Sequence, residues 1–337
     1  MIECIFTLDY EIYGNGEGSL KELIYEPAER LMTIFRQHGV RFVPFIEVAE
    51  LEMIENQGSD PAIDLVKNQI RDFHRDGFEV GLHLHPQWYN GRYVNGKWVL
   101  DNAEYNLCTL PRDRITDIVN RAIGYLRCVL GVPDFNPISF RAGNWLLQPT
   151  ETISYVLSIR GIKVDSSLFK GGVRHSHSLD YRPALKNGYY WFFGNDVNVG
   201  TPGGYLLEAP IYTEMVPFWK IMNRKRISME ANAATRQDIK SRMNRVRDLL
   251  RFLHPMKLDF CRMTSGGIAS VMNKIIKEDE ADPNSLRPIV FIGHTKELTD
   301  LETVDSVLSF LARKKIGVST FDSVYRACTA HNIGANK

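Results

Sequence analysis

The sequence predicts an α/β barrel of seven or eight parallel strands, and three observations support this fold class. Short apolar, β-branched segments alternate with amphipathic segments along the chain, as in parallel strands joined by right-handed helical crossovers. No Gly-rich phosphate loop follows the first predicted strand, which disfavours an open dinucleotide-binding sheet. Acidic, basic or imidazole side chains stand where six predicted strands end, and α/β barrels form their active sites at those ends.

The predicted elements follow one another in a regular order. Apolar and β-branched runs predict strands, over residues 2–8, 40–46, 78–84, 138–140, 162–164, 206–211, 288–292 and 317–321, and residues 257–261 could form another. Apolar side chains at helical spacing, with Pro27 near the first start and Gly39 and Gly77 at the first two ends, predict the helices. Further helices are predicted over residues 114–129, 150–159, 222–252, 265–276 and 301–313.

The alternation fails after the fifth predicted strand. Gly, His, Asn and Tyr dominate residues 170–204, and loops of this length are usually functional. We therefore expect one domain over residues 1–337, with a long insertion over residues 170–256 that serves as a lid or selects the substrate. The insertion could also serve oligomerisation, and the oligomeric state stays open at this point.

Composition excludes several classes of partner. The formal net charge of +1 gives no general attraction to nucleic acid. No apolar run approaches the roughly 20 residues that cross a bilayer. The five cysteines are widely spaced and odd in number, which predicts reduced, mostly buried thiols. With no signal peptide visible at the start, we expect a cytoplasmic protein.

Two of the strand ends carry a pattern that suits a metal ion. Residues i and i+2 of a strand point to the same face, so Asp9 projects with Glu11, and His83 with His85. Two imidazoles and a carboxylate form a common site for Zn²⁺ or another first-row divalent ion. Such an ion can lower the pKa of a bound water toward roughly 7. Hydrogen-bonded structural histidines are the alternative interpretation.

Three further residues complete a hydrolytic set. Asp9, if it is free of the metal, can act as a general base on water, and a neighbouring Arg141 would keep it ionised. His294 can protonate a leaving group if an acid such as Asp165 orients it. A helix cap is the alternative interpretation of Asp165.

At these residues the chain resembles the polysaccharide deacetylase superfamily, carbohydrate esterase family 4. Thr7-Leu8-Asp9-Tyr10-Glu11 is similar to the first family motif, and this implies Asp9 as base and Glu11 as metal ligand. The second motif usually has two histidines four residues apart. Here His83 matches the first, while Gln87 stands in place of the second, so either His85 or Gln87 would complete the metal site.

The remaining family motifs also have counterparts, in family order. Arg141 to Trp145 resembles the third motif and implies Trp145 as a wall of the groove. Asp165-Ser166-Ser167 resembles the fourth and Ile292-Gly293-His294 the fifth, which implies that Asp165 partners His294. The resemblance implies a distorted (β/α)₇ barrel. The sequence around His83 is similar to that of a cytoplasmic branch of the family, which is associated with surface-polysaccharide gene products.

The function expected from these residues is a metal-dependent N-deacetylase for an N-acylated amino sugar of surface polysaccharide or O-antigen biosynthesis. The sugar would be nucleotide- or lipid-linked, and the metal Zn²⁺, with Co²⁺, Fe²⁺ or Ni²⁺ as alternatives. Trp88 and Glu208 are further candidates for substrate binding, although Trp88 could instead anchor its loop and Glu208 could be a solvated carboxylate. Two other functions are a hydrolase of a formamide or cyclic ureide, and a glycan-binding protein on a degenerate deacetylase scaffold.

Overall fold

The computed structural model describes residues 1–221 and 252–335, and it contains a barrel of seven parallel strands. The strands are β1 (Ile2–Tyr10), β2 (Val43–Glu47), β3 (Gly81–Leu84), β4 (Ser139–Ala142), β5 (Val164–Asp165), β6 (Leu206–Glu208) and β7 (Arg287–His294). They are paired in the order β6-β5-β4-β3-β2-β1-β7. A parallel bridge between Ile211, just after β6, and Val290 of β7 brings the two ends of the sheet together. The α/β barrel predicted from the sequence is confirmed, with seven strands around the ring.

Helices cover the outside of the barrel between successive strands. They are α1 (Glu26–Gln37), α2 (Val48–Gln57), α3 (Ile63–Arg75), α4 (Arg112–Leu130), α5 (Glu151–Ile159), α6 (Ser265–Ala281), α7 (Leu301–Arg313) and α8 (Phe321–Ala335). Sequence analysis missed α2 and α8. Helix α2 begins at the residue that follows the last residue of β2, so no turn residues mark the boundary between strand and helix.

Two apolar clusters stabilise the barrel, and they lie on opposite faces of its sheet. Alternate residues of β1 divide between them: Ile5 belongs to the smaller cluster, and Phe6 and Leu8 to the larger cluster under the helices. Phe45 and Val290 share the smaller cluster with Phe321 and other α8 residues, so α8 closes the amino-terminal end of the barrel. An active site can therefore form only at the other end of the barrel, where the carboxyl ends of the strands lie.

Several predicted elements differ from the observed ones. The strand predicted over residues 257–261 lies earlier, at Leu253–Lys257, and forms an antiparallel hairpin with Thr213–Pro217. The strand does not enter the barrel, and Asp259 alone bridges to Ile292 of β7. Gly317–Val318 pairs with the start of β1.

The region of the predicted insertion contributes short pieces of structure. Its described part includes β6, the strand Trp191–Phe193 antiparallel to β6, and a hairpin of Val173–Arg174 with Leu179–Asp180. Most of the helix predicted over residues 222–252 lies outside the described residues. A lid or selecting role for residues 170–256 stays a prediction.

Two compositional expectations can be compared with the structure. All five cysteines are free thiols and four of them are buried, as expected. In the described part of the chain, no helix combines the length and apolar character that a membrane crossing requires.

Glu79 joins the amino-terminal end of the barrel to α8. Its carboxylate accepts hydrogen bonds from Ser139 Oγ at 3.0 Å and from the backbone N–H of Asp322 at 2.8 Å. Burial raises the pKa of Glu79 from 4.5 to about 7. Because the folded state holds this proton more tightly than the unfolded chain, stability falls as the pH rises from about 4.5 to about 7.

We predict that Glu79→Gln stabilises the protein at pH 8 and not at pH 4.5. The amide removes the buried charge, while its oxygen can accept from the Asp322 N–H and its nitrogen can donate to Ser139 Oγ, so the gain is at most about 3.4 kcal/mol, at about 1.36 kcal/mol per pKa unit. Thermal unfolding at both pH values measures it, with the exposed Glu22→Gln as control. An equal effect at both pH values would contradict the assignment.

Candidate active site

The carboxyl ends of four barrel strands bring the predicted site residues together. Asp9 of β1 is in register with His294 of β7, and His83 of β3 with Arg141 of β4. All four side chains are buried. Glu11 and His85 directly follow their strands and are buried as well.

Glu11, His83 and His85 form a compact set of metal-ligand types. Glu11 Oε2 lies 3.2 Å from His85 Nε2 and 3.6 Å from His83 Nε2. One ligand atom from each residue lies within 4.8 Å of the other two, which suits a single bound ion. The structure thus brings His85, rather than Gln87, to Glu11 and His83.

Of the two ring nitrogens of His83, one is hydrogen-bonded to the backbone and the other faces Glu11. Nδ1 lies 2.9 Å from the Arg141 carbonyl, which can only accept, so Nδ1 carries the hydrogen and donates it. The buried Nε2 has no hydrogen-bond partner among the described residues. A histidine held in this way by a carbonyl is the usual arrangement of a metal ligand. Burial works against protonation of His83, but the nearby Glu11 carboxylate and the charge of Asp9 raise its pKa to about 9.

Gln87 lies behind His85. Gln87 Nε2 is 3.3 Å from His85 Nδ1, and Asn144 Nδ2 is 3.2 Å from the same atom. The buried Gln87 Oε1 has no partner among the described residues. With the Gln87 and Asn144 amides both turned over, their oxygens would accept from Nδ1–H, and His85 Nε2 would be free to coordinate. Gln87 thus fits a residue that orients His85 better than it fits a ligand.

Lys296 and Glu47, which sequence analysis did not select, also contact the metal-ligand set. Lys296 Nζ lies 2.9 Å from Glu11 Oε1. Burial opposes ionisation of Glu11, but Lys296 and the two nearby histidines hold its pKa well below the ordinary range. Glu47 accepts from the backbone N–H of His85 at 2.8 Å, and burial raises the Glu47 pKa to about 8.

Asp9 is held by a fully buried arginine. Arg141 Nη1 lies 2.5 Å from Asp9 Oδ1, and Arg141 is 0% exposed. Burial opposes the charge on Asp9, but Arg141, then His83 and His294, lower its pKa below the ordinary value. Asp9 is therefore a carboxylate at neutral pH, with Oδ2 3.4 Å from His294 Nε2.

The acid beside His294 is not the one that the sequence suggested. Ser167 donates to both oxygens of Asp165, from its backbone N–H at 2.9 Å and from Oγ at 2.7 Å. Asp259 and Glu297 instead form a close group with His294, and Glu297 Oε2 is 3.9 Å from His294 Nδ1. The expected pairing of Asp165 with His294 is replaced because Asp259 bridges directly to the end of β7.

Of the three predicted substrate contacts, only Trp145 borders the site. Its ring is edge-on to His294, with centroids 5.9 Å apart, and it is partly exposed. Trp88 is 1% exposed and packs against Trp98, so it offers no face to a sugar. Glu208 is buried beside Asp165; burial and then the charge of Asp165 raise its pKa well above the ordinary range. Neither Trp88 nor Glu208 fits its predicted role.

Comparison with known proteins finds likeness in structure alone. Neither the protein-family models nor the curated proteins contain a sequence match. A polysaccharide deacetylase structure from Mycobacterium smegmatis is similar with a TM-score of 0.54 at 14% identity, over 98% of this chain and 91% of that one. A GH57-type branching enzyme from Pyrococcus horikoshii gives a TM-score of 0.53 at 14% identity, over 95% and 69%.

A third similar structure is Puue allantoinase, with a TM-score of 0.50 at 11% identity, over 96% of this chain and 89% of that one. Since identities this low establish the fold and not the reaction, the choice among these chemistries depends on the side chains described above. The chain has the distorted α/β barrel fold of the polysaccharide deacetylases.

Proposed function

We propose that the protein is a metal-dependent amidohydrolase that removes an N-acyl group, most simply acetyl, from an amino sugar. One observation carries this proposal. An ionised carboxylate, Asp9, stands beside the Glu11, His83 and His85 set at the carboxyl end of the barrel. A base next to a three-residue metal site is the arrangement that hydrolysis of an unactivated amide needs.

Glu11, His83 and His85 would hold the metal. The free, buried Nε2 of His83 and the mixed carboxylate and imidazole donors fit Zn²⁺ best, while Co²⁺, Fe²⁺ and Ni²⁺ accept the same donors. When bound, a divalent ion would polarise the amide carbonyl and make water more acidic. Lys296 would stay on the other oxygen of Glu11 and limit the negative charge there.

Asp9 would act as the general base. It accepts a proton from the water that attacks the carbonyl carbon, and Arg141 holds its other oxygen in place. His294, 3.4 Å from Asp9, would give a proton to the departing nitrogen as the carbon–nitrogen bond breaks. The products are the free amino sugar and a carboxylate such as acetate.

An open cavity that is lined by none of the metal-ligand or catalytic residues has walls that suit a carbohydrate. It has a volume of about 730 Å³ and is lined by amide and hydroxyl side chains, among them Asn102, Asn106, Thr109, Gln148, Thr150 and Asn195. Tyr105 and His177 stack at its wall with centroids 4.9 Å apart. Hydrogen-bonding groups next to an aromatic surface suit a sugar, so we propose that the rest of the glycan lies here. We further propose a cytoplasmic, nucleotide- or lipid-linked precursor of surface polysaccharide as the substrate.

One other hydrolytic function has specific support. Hydrolysis of a cyclic ureide or formamide also breaks a carbon–nitrogen bond, and an allantoinase is among the structures that share this fold. The same base and metal ligands would serve that reaction, and the polar cavity would then have no sugar to hold. A glycan-binding protein without catalysis is the third function, and it predicts no bound metal.

We predict that protein purified without chelator or histidine tag contains near-stoichiometric divalent metal. His83→Ala and His85→Ala should lose it, because each removes one of three ligands. Gln87→Ala should weaken metal binding about 10- to 100-fold, as loss of an orienting residue does. Mass spectrometry measures the metal content, with His38→Ala, which removes a partly exposed histidine paired with Asp305, as control. Metal-free wild-type protein that dialysis cannot reload would favour the binding protein.

We predict that Asp9→Asn keeps its metal and loses turnover about 10²- to 10⁴-fold, the usual contribution of a general base. Metal content and acetate release from N-acetylated amino sugars measure the two effects, and thermal unfolding tests whether Arg141 tolerates its neutral partner. Activity near the wild-type rate in a folded, metal-loaded variant would refute Asp9 as the base.

We predict that Asp259→Asn lowers kcat about tenfold or more with little change in KM, because Asp259, with one oxygen within 4.8 Å of a His294 ring nitrogen, would help to orient this proton donor. Asp165→Asn is the matched comparison, since that carboxyl is also buried but is bonded to Ser167. Steady-state rates of both variants decide whether Asp259 or Asp165 acts on His294. A larger loss of kcat in Asp165→Asn would restore the pairing expected from the sequence.

A further inference from the structure

Two cations lie against the aromatic wall of the candidate site. Lys257 Nζ is 3.1 Å from the centroid of the Trp145 ring, and the guanidinium carbon of Arg174 is 5.1 Å from the same centroid. Lys257 also lies 5.0 Å from the Phe169 ring. Both cations are partly buried. Contact with aromatic faces stabilises a cation only in part, because it replaces neither its counter-ion nor its hydrogen bonds.

Neither cation has an acidic partner within the described part of the chain. No hydrogen bond or ion pair joins the side chain of Lys257 or Arg174 to a described residue, whereas the other cations near the site are paired: Lys296 with Glu11, Arg141 with Asp9, and Arg262 with Glu297. Burial, and the positive charges of Arg262 and Arg174, hold the pKa of Lys257 well below its ordinary range against the opposing charge of Asp259. An anion between the two cations would offset this cost.

The backbone that carries the Trp145 ring is in a strained conformation. Asn144 and Trp145 have φ angles of 56° and 60°, in the left-handed region that residues other than glycine rarely adopt. Asn144 contacts His85 through its side chain, and the Trp145 ring contacts His294. Strain of this kind persists where the surrounding structure imposes it, commonly at ligand sites. The cations on Trp145 are thus adjacent to the proposed reacting groups and not on a remote surface.

We propose that Lys257 and Arg174 form an anion subsite, and that the substrate carries a carboxylate or a phosphate close to its N-acyl group. The inference rests on the proposed deacetylase function and adds the charge of the substrate to it. A carboxylate would belong to an amino uronic acid, and a phosphate to a sugar linked to a nucleotide or lipid carrier. Arg174 can bind either group through two N–H donors, while Lys257 supplies a point charge.

The test compares three N-acetylated ligands that differ in charge: a neutral methyl glycoside of N-acetylglucosamine, N-acetylglucosamine 1-phosphate, and the corresponding uronic acid. Binding is measured by calorimetry and hydrolysis by acetate release. We expect the wild-type protein to prefer at least one of the anionic ligands about 10- to 100-fold, the range of charged hydrogen bonds. Which of the two is preferred separates the phosphate source from the carboxylate source.

Lys257→Met and Arg174→Met should abolish this preference and leave binding of the neutral glycoside unchanged. Lys257→Arg should retain it, and Lys186→Met, which removes a charge from an exposed site, should have no effect. If Lys257→Met does not fold, Arg174→Met carries the same comparison. Equal binding of all three ligands by the wild type, or equal losses on neutral and anionic ligands in both variants, would overturn the subsite.

The two proposals fail in different ways. Hydrolysis of neutral and anionic sugars at equal rates would refute the subsite and retain the deacetylase. The opposite result is that metal-loaded protein binds anionic ligands selectively through Lys257 but hydrolyses no amide. This result would retain the subsite and refute the deacetylase.

Discussion

The buried guanidinium of Arg141 is the interaction on which the rest of the site depends. From β4 it donates to Asp9 and Thr7 of β1 and to the carbonyl and hydroxyl of Ser166, and it lies 4.3 Å above the ring of Phe45 in β2. A charge with no exposure to water requires that these partners all be present, since removing one leaves an unpaired buried ion. The same contacts that join the strands therefore keep Asp9 ionised and fix its position.

Around this arginine the carboxyl end of the barrel is built from coupled charges. Glu11 is shared between two imidazoles on one oxygen and Lys296 on the other, while Glu47 holds the backbone of His85 from behind. On the opposite side, His294 lies between Asp9 and the Asp259 and Glu297 pair. Next to the Trp145 ring lie two cations, Lys257 and Arg174, whose side chains have no ion pair within the described residues. This pair of cations is the basis of the proposed anion subsite.

Sequence reasoning found the residues whose position follows from one strand. The period of two placed Asp9 with Glu11 and His83 with His85, and alternation of strands and helices placed all four at one end of a barrel. It did not find Lys296, Asp259 or Lys257, although Lys296 follows His294 by two residues and Lys257 precedes Asp259 by two. Their neighbours in space come from distant parts of the chain, and no local pattern distinguishes them from ordinary surface charges.

The sequence by itself determined the fold class, the apolar strands and the polar residues at strand ends, because these depend on local periodicity and composition. Only the tertiary structure decided which acid accompanies His294, that Trp88 is buried against Trp98, and that Gln87 lies behind His85 instead of beside Glu11. Those outcomes depend on where the segment around Asp259 meets β7 and on how the loop after β3 packs. Such contacts between remote segments are set by the packing of the whole barrel, and a linear pattern of residues does not specify them.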